Sequence, residues 1–171
     1  MYRWEAAKAL SDRRGCVPEL LRVLTRHQDH EVRAMLLYAI SHNRDEAAFD
    51  ALREILADSS EPPPIRGQCA EGLAYLLWPT DRRRARYKAA IRTLISALDD
   101  PSPIVRFWAV FALGSGGIVA VLPKLRRMAK NDRAKVAGWW LVSEESADAI
   151  IAIETGLWPD VPRRTWAPSA M

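Results

Sequence analysis

The sequence predicts an all-α protein, a right-handed α-solenoid of about five helical hairpins. A short motif with a basic residue returns at intervals of 29 to 40 positions, which is the spacing of a helical repeat. Each copy is followed by stretches whose apolar residues are spaced three and four apart, as on one face of a helix. No stretch of useful length alternates apolar and polar residues, so no strand is expected.

The recurring motif is an apolar or small residue, then Arg or Lys, then, in four of the five copies, a small residue or Cys three positions later. Its basic residues are separated by 30, 33, 40 and 29 positions, and they are Arg3, Arg33, Arg66, Arg106 and Lys135. Each motif opens a first helix, a break follows, and a second amphipathic helix ends the unit. Second helices are predicted over residues 18–26, 47–58, 86–98, 119–130 and 146–154.

These units divide the chain into a repeat array over residues 1–156 and a tail, residues 157–171, that contains Pro and Trp. The units span about 2–28, 30–60, 64–100, 103–131 and 133–155. No hairpin alone buries its apolar face, so each is expected to lean on its neighbours and form a continuous core. The tail prolines stop a helix, and its tryptophans are expected to cap the last unit or to offer a short motif to a partner.

The motif resembles HEAT repeats, particularly the short bacterial form found in phycobilin lyases. The resemblance rests on Val32-Arg33 and Val105-Arg106 opening first helices, on the Leu-rich second helices, and on turns such as Asp99-Asp-Pro-Ser-Pro103. It covers about residues 2–155 and implies a solenoid that binds other molecules. Chromophore attachment, which the lyases perform, has no motif of its own here, and one fold hosts many functions.

The repeated arginines Arg3, Arg33, Arg66 and Arg106 are interpreted as structural residues. An identical residue at the period of the array is expected to pack its stem and to donate to carbonyls or to an acid of an adjacent repeat. The tryptophans of the predicted first helices, Trp4, Trp108 and Trp139 or Trp140, are likewise interpreted as packing residues.

Composition argues for a cytoplasmic protein with no membrane span. Apolar residues make up 49% and charged residues 27%, which excludes a disordered chain, and no long apolar run or secretion signal is present. Cys16 and Cys69 are predicted to be reduced, packed thiols. No catalytic set, cofactor motif or metal-binding pattern is recognised, so the sequence favours a protein that is not an enzyme.

Partner binding is predicted on basic residues of the second helices and of a loop insertion in the third unit. The net charge is +4, and the whole excess of bases lies in residues 61–171. Because second helices are expected to line the concave face, their outward bases form a candidate surface for an acidic protein. The candidate residues are Arg22, Arg53, Arg82, Arg83, Arg84, Arg86, Lys88, Arg92, Lys124, Arg126, Arg127 and Lys130.

Two alternatives stay open beside a protein-binding scaffold. Such bases also neutralise phosphates, so the chain is a candidate nucleic-acid backbone binder related to HEAT-like DNA glycosylases, which use Trp and Asp near the lesion. The sequence shows no acid placed beside two exposed tryptophans. The other alternative is an immunity or inhibitor protein that blocks one enzyme. Oligomeric state is not predicted.

Overall fold

The computed structural model describes residues 2–77 and 81–160, and side chains from residue 4 onward. Helices fill most of this part, with no β-strand beyond one isolated bridge, so the predicted all-α solenoid is confirmed. The helices are α1 Tyr2–Ser11, α2 Val17–Leu24, α3 His30–Asn43, α4 Phe49–Ala57, α5 Pro63–Leu77, α6 Ala85–Ala97, α7 Pro103–Ser115, α8 Leu122–Asn131 and α9 Val142–Thr155. Short 3₁₀ turns, Glu46–Ala48 and Val119–Val121, lead into α4 and α8.

The helices form two rows. The odd-numbered first helices pack side by side in chain order, α1 on α3, α3 on α5, α5 on α7 and α7 on α9. The second helices α2, α4, α6 and α8 form the other row and touch one another more sparsely. The first helices therefore form the tighter row.

Small residues let the first helices approach. A Cβ atom added to Gly72 of α5 would lie 2.7 Å from Ser41 Cβ of α3 and 2.9 Å from Leu52 Cδ1 of α4. No larger residue fits there without displacing a helix. Buried side chains from all four hairpins join into one core that includes Leu37, Phe49 and Phe107.

The fifth unit differs from the predicted hairpin. Residues 133–141, expected to hold a first helix, form a loop closed by one antiparallel bridge between Lys135 and Leu141. Gly138 takes a φ of 79°, a left-handed conformation that turns the chain and stops a helix. The single helix α9 packs on α7 and α8, so it occupies a first-helix position, whereas the sequence predicted a second helix at residues 146–154. The described array is four hairpins and one helix.

The repeated arginines tie successive units together, as predicted. Each donates to carbonyl oxygens of the turn before its own helix and pairs with an acid in the turn before the next first helix. Arg33 pairs with Glu61 and donates to Leu24 O and His27 O; Arg66 pairs with Asp100 and donates to Glu61 O; Arg106 pairs with Asp132 and donates to Asp100 O and Pro101 O. The side chain of Arg3 lies outside the described residues.

Candidate functional site

Two adjoining cavities open along the first helices, and together we call them the aromatic groove. The larger, about 950 Å³, lies beside α5, α7 and the end of α9. The smaller, about 340 Å³, lies between α5, α7, α9 and the loop of residues 133–141. Tyr75, Phe111 and Trp158 line both cavities. Aromatic side chains from three separate parts of the chain thus line both cavities.

The smaller cavity, here the acidic cavity, combines aromatic rings with carboxylates. Its aromatic lining includes Phe107, Trp108, Trp139 and Trp140 besides the three shared rings. Glu71, Glu145 and Asp148 line it as well, and no Lys or Arg does so among the described residues. The cavity therefore places carboxyl side chains against apolar walls.

Helix α9 supplies two of these carboxylates. Glu145 and Asp148 are three positions apart and so lie on one face of the helix. Both are buried, at 2% and 6% exposure. The Trp140 indole Nε1 donates a hydrogen bond of 2.8 Å to Glu145 Oε2, which holds the ring of Trp140 against the first turn of α9.

Glu71 of α5 supplies the third carboxylate, and its neighbours hold it in place. Gln68 Nε2 donates to Oε2 at 2.7 Å, and the Tyr75 hydroxyl donates to Oε1 at 3.1 Å. Burial, followed by the negative charge of Glu71, raises the pKa of Tyr75 to about 12. The Tyr75 hydroxyl therefore keeps its proton at neutral pH and remains a donor.

The rings of the acidic cavity pack against one another. The centroids of Trp108 and Trp139 are 4.8 Å apart at 78°, and those of Phe107 and Trp140 are 5.5 Å apart at 68°. Edge-to-face contacts of this kind stabilise aromatic pairs. The walls are therefore built by mutual packing before any partner arrives.

Trp158 follows α9 and lies back against α7. Its ring lies 5.3 Å from that of Phe111. Gly114 makes room for this, because a Cβ atom there would lie 3.0 Å from Trp158 Cη2 and 2.8 Å from Ala149 Cβ. Trp158 thus folds back over the array, as expected of a tail tryptophan. Trp166 and Trp78 lie outside the described residues.

Basic groups line the larger cavity. Arg44 and Arg82 line the larger cavity. The Arg44 guanidinium lies 5.6 Å from the Tyr75 ring centroid, and Arg82 Nη2 donates to Gly116 O at 3.1 Å. The larger cavity therefore carries basic side chains, whereas carboxyl side chains line the smaller one.

Aromatic residues continue from the groove along the first-helix row. The His42 ring of α3 lies 5.1 Å from that of Tyr75 and stacks on Tyr38 at 4.2 Å. Trp4 of α1 meets Tyr38 edge-on at 5.6 Å. The first helices from α1 to α7 thus present aromatic side chains on one side of the array.

A family comparison agrees with this architecture. The model for HEAT repeats matches residues 1–74 and again residues 59–143, most of the chain. The chain belongs to the HEAT-repeat family. HEAT repeats generally mediate protein–protein interaction. No curated protein shows significant sequence similarity to this HEAT-repeat chain.

Most of the bases predicted to bind a partner are engaged within this HEAT-repeat protein. Arg82 donates to a backbone carbonyl, and seven others form ion pairs, mostly exposed. These are Arg22 with Glu19, Arg53 with Asp50 and Glu54, Arg83 with Asp81, Arg84 and Arg86 with Glu46, Lys124 with Asp99, and Arg126 with Glu154. Lys88, Arg92, Arg127 and Lys130 are exposed and make no ion pair within the described part of the chain.

Sequence reasoning missed the aromatic groove. Its assignment of Trp108 to packing is confirmed, since that side chain is buried in the core, but it placed Trp139 or Trp140 on a first helix and found no acid beside exposed tryptophans. In the HEAT-repeat array, Trp139 and Trp140 lie on a loop, Trp139 is 38% exposed, and Glu145 and Asp148 line the same cavity. The available signal was the pair of carboxylates three apart in the last helix, shortly after two tryptophans.

No set of three His, Cys, Asp or Glu side chains in the described HEAT repeats is arranged to hold a metal ion. Within the same residues, no helix has both the length and the apolar character that a membrane crossing requires.

Proposed function

We propose that this chain is a non-catalytic scaffold that holds a segment of a partner protein in the aromatic groove. The observation that carries the proposal is the set of aromatic side chains Tyr75, Phe111 and Trp158, which line both cavities on the tighter row of the array. A groove with apolar walls and a few charged groups is the usual form of a binding site.

The exposure of the groove residues supports this role. Leu157 is 73% exposed and Trp158 is 37% exposed, although both are large apolar side chains. Trp and Tyr contribute most often to the residues that dominate binding energy at protein interfaces. Because ring packing and the Gly114 contact already hold Trp158, little conformational entropy is lost when a partner binds.

The basic surface predicted from sequence remains a second candidate contact area. Lys88 and Arg92 lie on α6, and Arg127 and Lys130 lie on α8, all on the second-helix row. A partner with an acidic surface is proposed for these four bases, since their charges are not neutralised by nearby acids of the described chain. An enzyme blocked by an immunity or inhibitor protein would be one such partner.

Site-specific photo-cross-linking separates the two surfaces. A photoreactive phenylalanine analogue replaces either Leu157, in the groove, or Val119, which is 65% exposed and lies beside Lys88 and Arg92. We expect a specific cross-linked partner from position 157, identified by mass spectrometry. Adding Trp158→Ala should abolish that product, while Trp4→Ala, at a somewhat more exposed tryptophan outside both cavities, should not.

A product that forms at position 119 and not at 157 would contradict the groove proposal and assign the partner to the basic surface. The partner's identity also tests the inhibitor alternative, because an inhibited enzyme would lose activity when the chain is added.

The acidic cavity also favours a second candidate function, action on alkylated DNA. The observation is that Asp148 and Glu145 line a cavity with Trp139 and Trp158, the combination that the sequence did not reveal. The test is release of alkylated bases from duplex DNA, comparing the unaltered chain with Asp148→Asn. Release that depends on Asp148 would replace the scaffold by an enzyme, whereas no release at low salt would exclude this activity.

A further inference from the structure

We propose that a third cavity, here the basic cavity, binds a phosphoryl group on a side chain of the partner protein. The basic cavity, of about 500 Å³, lies between α6 and the turn that follows α7. Arg82, Lys88 and Arg92 line it, and no Asp or Glu does so among the described residues. The inference rests on the proposed function, because it names the acidic group that the partner presents to the bases of the second-helix row.

The three bases of the basic cavity come from two sides. Lys88 and Arg92 are four positions apart on α6 and so share one face of that helix. Both are exposed and form no ion pair within the described chain. Arg82 belongs to the loop before α6, and its guanidinium rests on the turn after α7, where Nη2 donates to Gly116 O at 3.1 Å. Positive charge therefore reaches the cavity from a helix face and from a turn.

This concentration of charge destabilises the free chain. Like charges four positions apart on a helix, such as Lys88 and Arg92, repel each other. Lys88 also lies in the first turn of α6, which contains no acid, at the helix end where the dipole favours anions and disfavours cations. An anion bound in the basic cavity would offset both repulsions.

Tyr87 places a buried hydroxyl at the same cavity. Its side chain lines the basic cavity and is only 5% exposed, yet its hydroxyl has no hydrogen-bond partner among the described residues. A hydroxyl that has lost water without gaining a partner is unfavourable, and most buried polar groups in folded proteins are satisfied. An acceptor oxygen of a bound ligand would complete this bond.

The charge and the donors of the basic cavity fit a phosphoryl group better than a carboxylate. A phosphomonoester carries a charge of about −1.5 to −2 at neutral pH and has three strong acceptor oxygens. A carboxylate has a single charge and two oxygens. Guanidinium groups, such as those of Arg82 and Arg92, bond to phosphate in a bidentate manner. Three bases and one hydroxyl therefore match the phosphoryl group.

The surroundings favour a protein as the carrier of that group over a nucleic-acid backbone. A nucleic acid follows a groove of positive charge along its length. On the second-helix row, however, Arg53, Lys124 and Arg126 are paired with acids. Ile118 and Val119 border the basic cavity, and Val119 is 65% exposed, so apolar groups of a protein segment find a contact there.

The experiment titrates the intact chain with N-acetyl-O-phosphoserine amide, N-acetyl-glutamate amide and N-acetyl-serine amide in a buffer without phosphate. The backbone amide resonances of Gly117 and Val119 report binding at the basic cavity. We expect phosphoserine to bind at least about tenfold more tightly than glutamate, the effect of one further charge-assisted hydrogen bond, and serine not to bind. Equal affinities for phosphoserine and glutamate would overturn the inference.

Lys88→Gln and Lys130→Gln are a matched pair of variants. Each removes an exposed lysine of a second helix that has no ion pair within the described residues, and only Lys88 lines the basic cavity. Lys88→Gln should weaken phosphoserine binding about tenfold, whereas Lys130→Gln should leave it unchanged. Equal weakening would show diffuse attraction without a defined site and would contradict the inference. Thermal melts check that both variants fold.

Tyr87→Phe tests the buried hydroxyl. It should weaken phosphoserine binding about threefold or more, the effect of a neutral hydrogen bond. It should not lower the melting temperature of the free chain, because the hydroxyl has no partner there. A lower melting temperature with unchanged phosphoserine binding would mean that the hydroxyl is structural and does not contact the ligand.

Oligothymidylate and inorganic phosphate are titrated in parallel. If oligothymidylate binds, and Lys88→Gln and Lys130→Gln weaken it alike, the bases follow a nucleic-acid backbone and the inference is wrong. Inorganic phosphate that binds as tightly as phosphoserine would assign the cavity to a free ion and exclude the partner's side chain. Either result would leave the cross-link at position 157, and with it the groove proposal, intact. Loss of that cross-link would instead count against the scaffold.

Discussion

Arg66 and Asp100 form a two-point ion pair that joins α5 to the turn before α7. Arg66 Nη1 bonds to Oδ2 of Asp100, and Nη2 lies 3.3 Å from Oδ1. Both side chains are largely buried, at 8% and 10% exposure. Arg33 with Glu61 and Arg106 with Asp132 repeat the same relationship in the neighbouring units. These three ion pairs, here called the arginine ladder, therefore hold the spacing of the first helices, and the aromatic groove depends on that spacing.

Asp100→Asn should destabilise the fold strongly. The substitution leaves the buried Arg66 guanidinium without its counter-charge, which costs about 3–5 kcal/mol of unfolding free energy. Urea denaturation at neutral pH measures the loss. Arg84→Ala is the control, because it breaks an exposed pair with Glu46 and should cost less than about 1 kcal/mol. Similar losses of unfolding free energy for both variants would show that burial does not strengthen the ion pairs of the arginine ladder.

Gly114→Ala should disturb the groove and the fold together. The added methyl group would press on Ala149 and on the Trp158 ring, and such overpacking costs about 1–3 kcal/mol. Denaturation and the cross-link at position 157 measure the two effects. Gly116→Ala, two positions along, has an ordinary φ of −75° and a nearest added contact of 3.3 Å, so it should perturb less. An unchanged cross-link in Gly114→Ala would show that partner binding does not depend on the position of the Trp158 ring.

The two cysteines should differ in reactivity. Cys69 has no exposed surface, and burial, assisted by the charge of Glu61, raises the pKa of its thiol well above the ordinary range. Because the thiolate is the nucleophile, iodoacetamide at about pH 8 should label Cys16, which is partly exposed, and spare Cys69 until the chain unfolds. Mass spectrometry of Cys16→Ser isolates Cys69. Rapid labelling of that variant without denaturant would contradict its burial.

Tyr75 should make the fold sensitive to alkali. Its pKa is raised from 10.0 to about 12, so the folded chain keeps a proton that the unfolded chain releases above about pH 10. The stabilising contribution is complete below the unfolded pKa and is lost as pH rises toward 12. Tyr75→Phe should therefore lose less unfolding free energy between about pH 8 and about pH 11 than the unaltered chain. If urea denaturation shows the same loss of unfolding free energy in both chains over this pH range, Tyr75 makes no such contribution.

The sequence alone determined the helices and the period of the array. Two patterns predicted them: apolar residues spaced three and four apart, and a basic residue near the start of each first helix. Both patterns are local, so they can be recognised without knowledge of tertiary contacts. The structural role of Arg33, Arg66 and Arg106 was also predictable, because identical residues at the structural period take equivalent places in equivalent turns. The prediction of a fifth hairpin was wrong, because Gly138 turns the chain and leaves Lys135 in a loop.

Only the tertiary structure decided where the candidate site lies. Glu71, Phe111, Trp139 and Trp158 meet because first helices pack side by side and the chain after α9 returns to α7. Ion pairing is likewise non-local, as Arg84 meets Glu46 thirty-eight positions away. A linear pattern records which residues share one helix face. It does not record which faces of different units meet, since that depends on how closely the small residues let the helices pack.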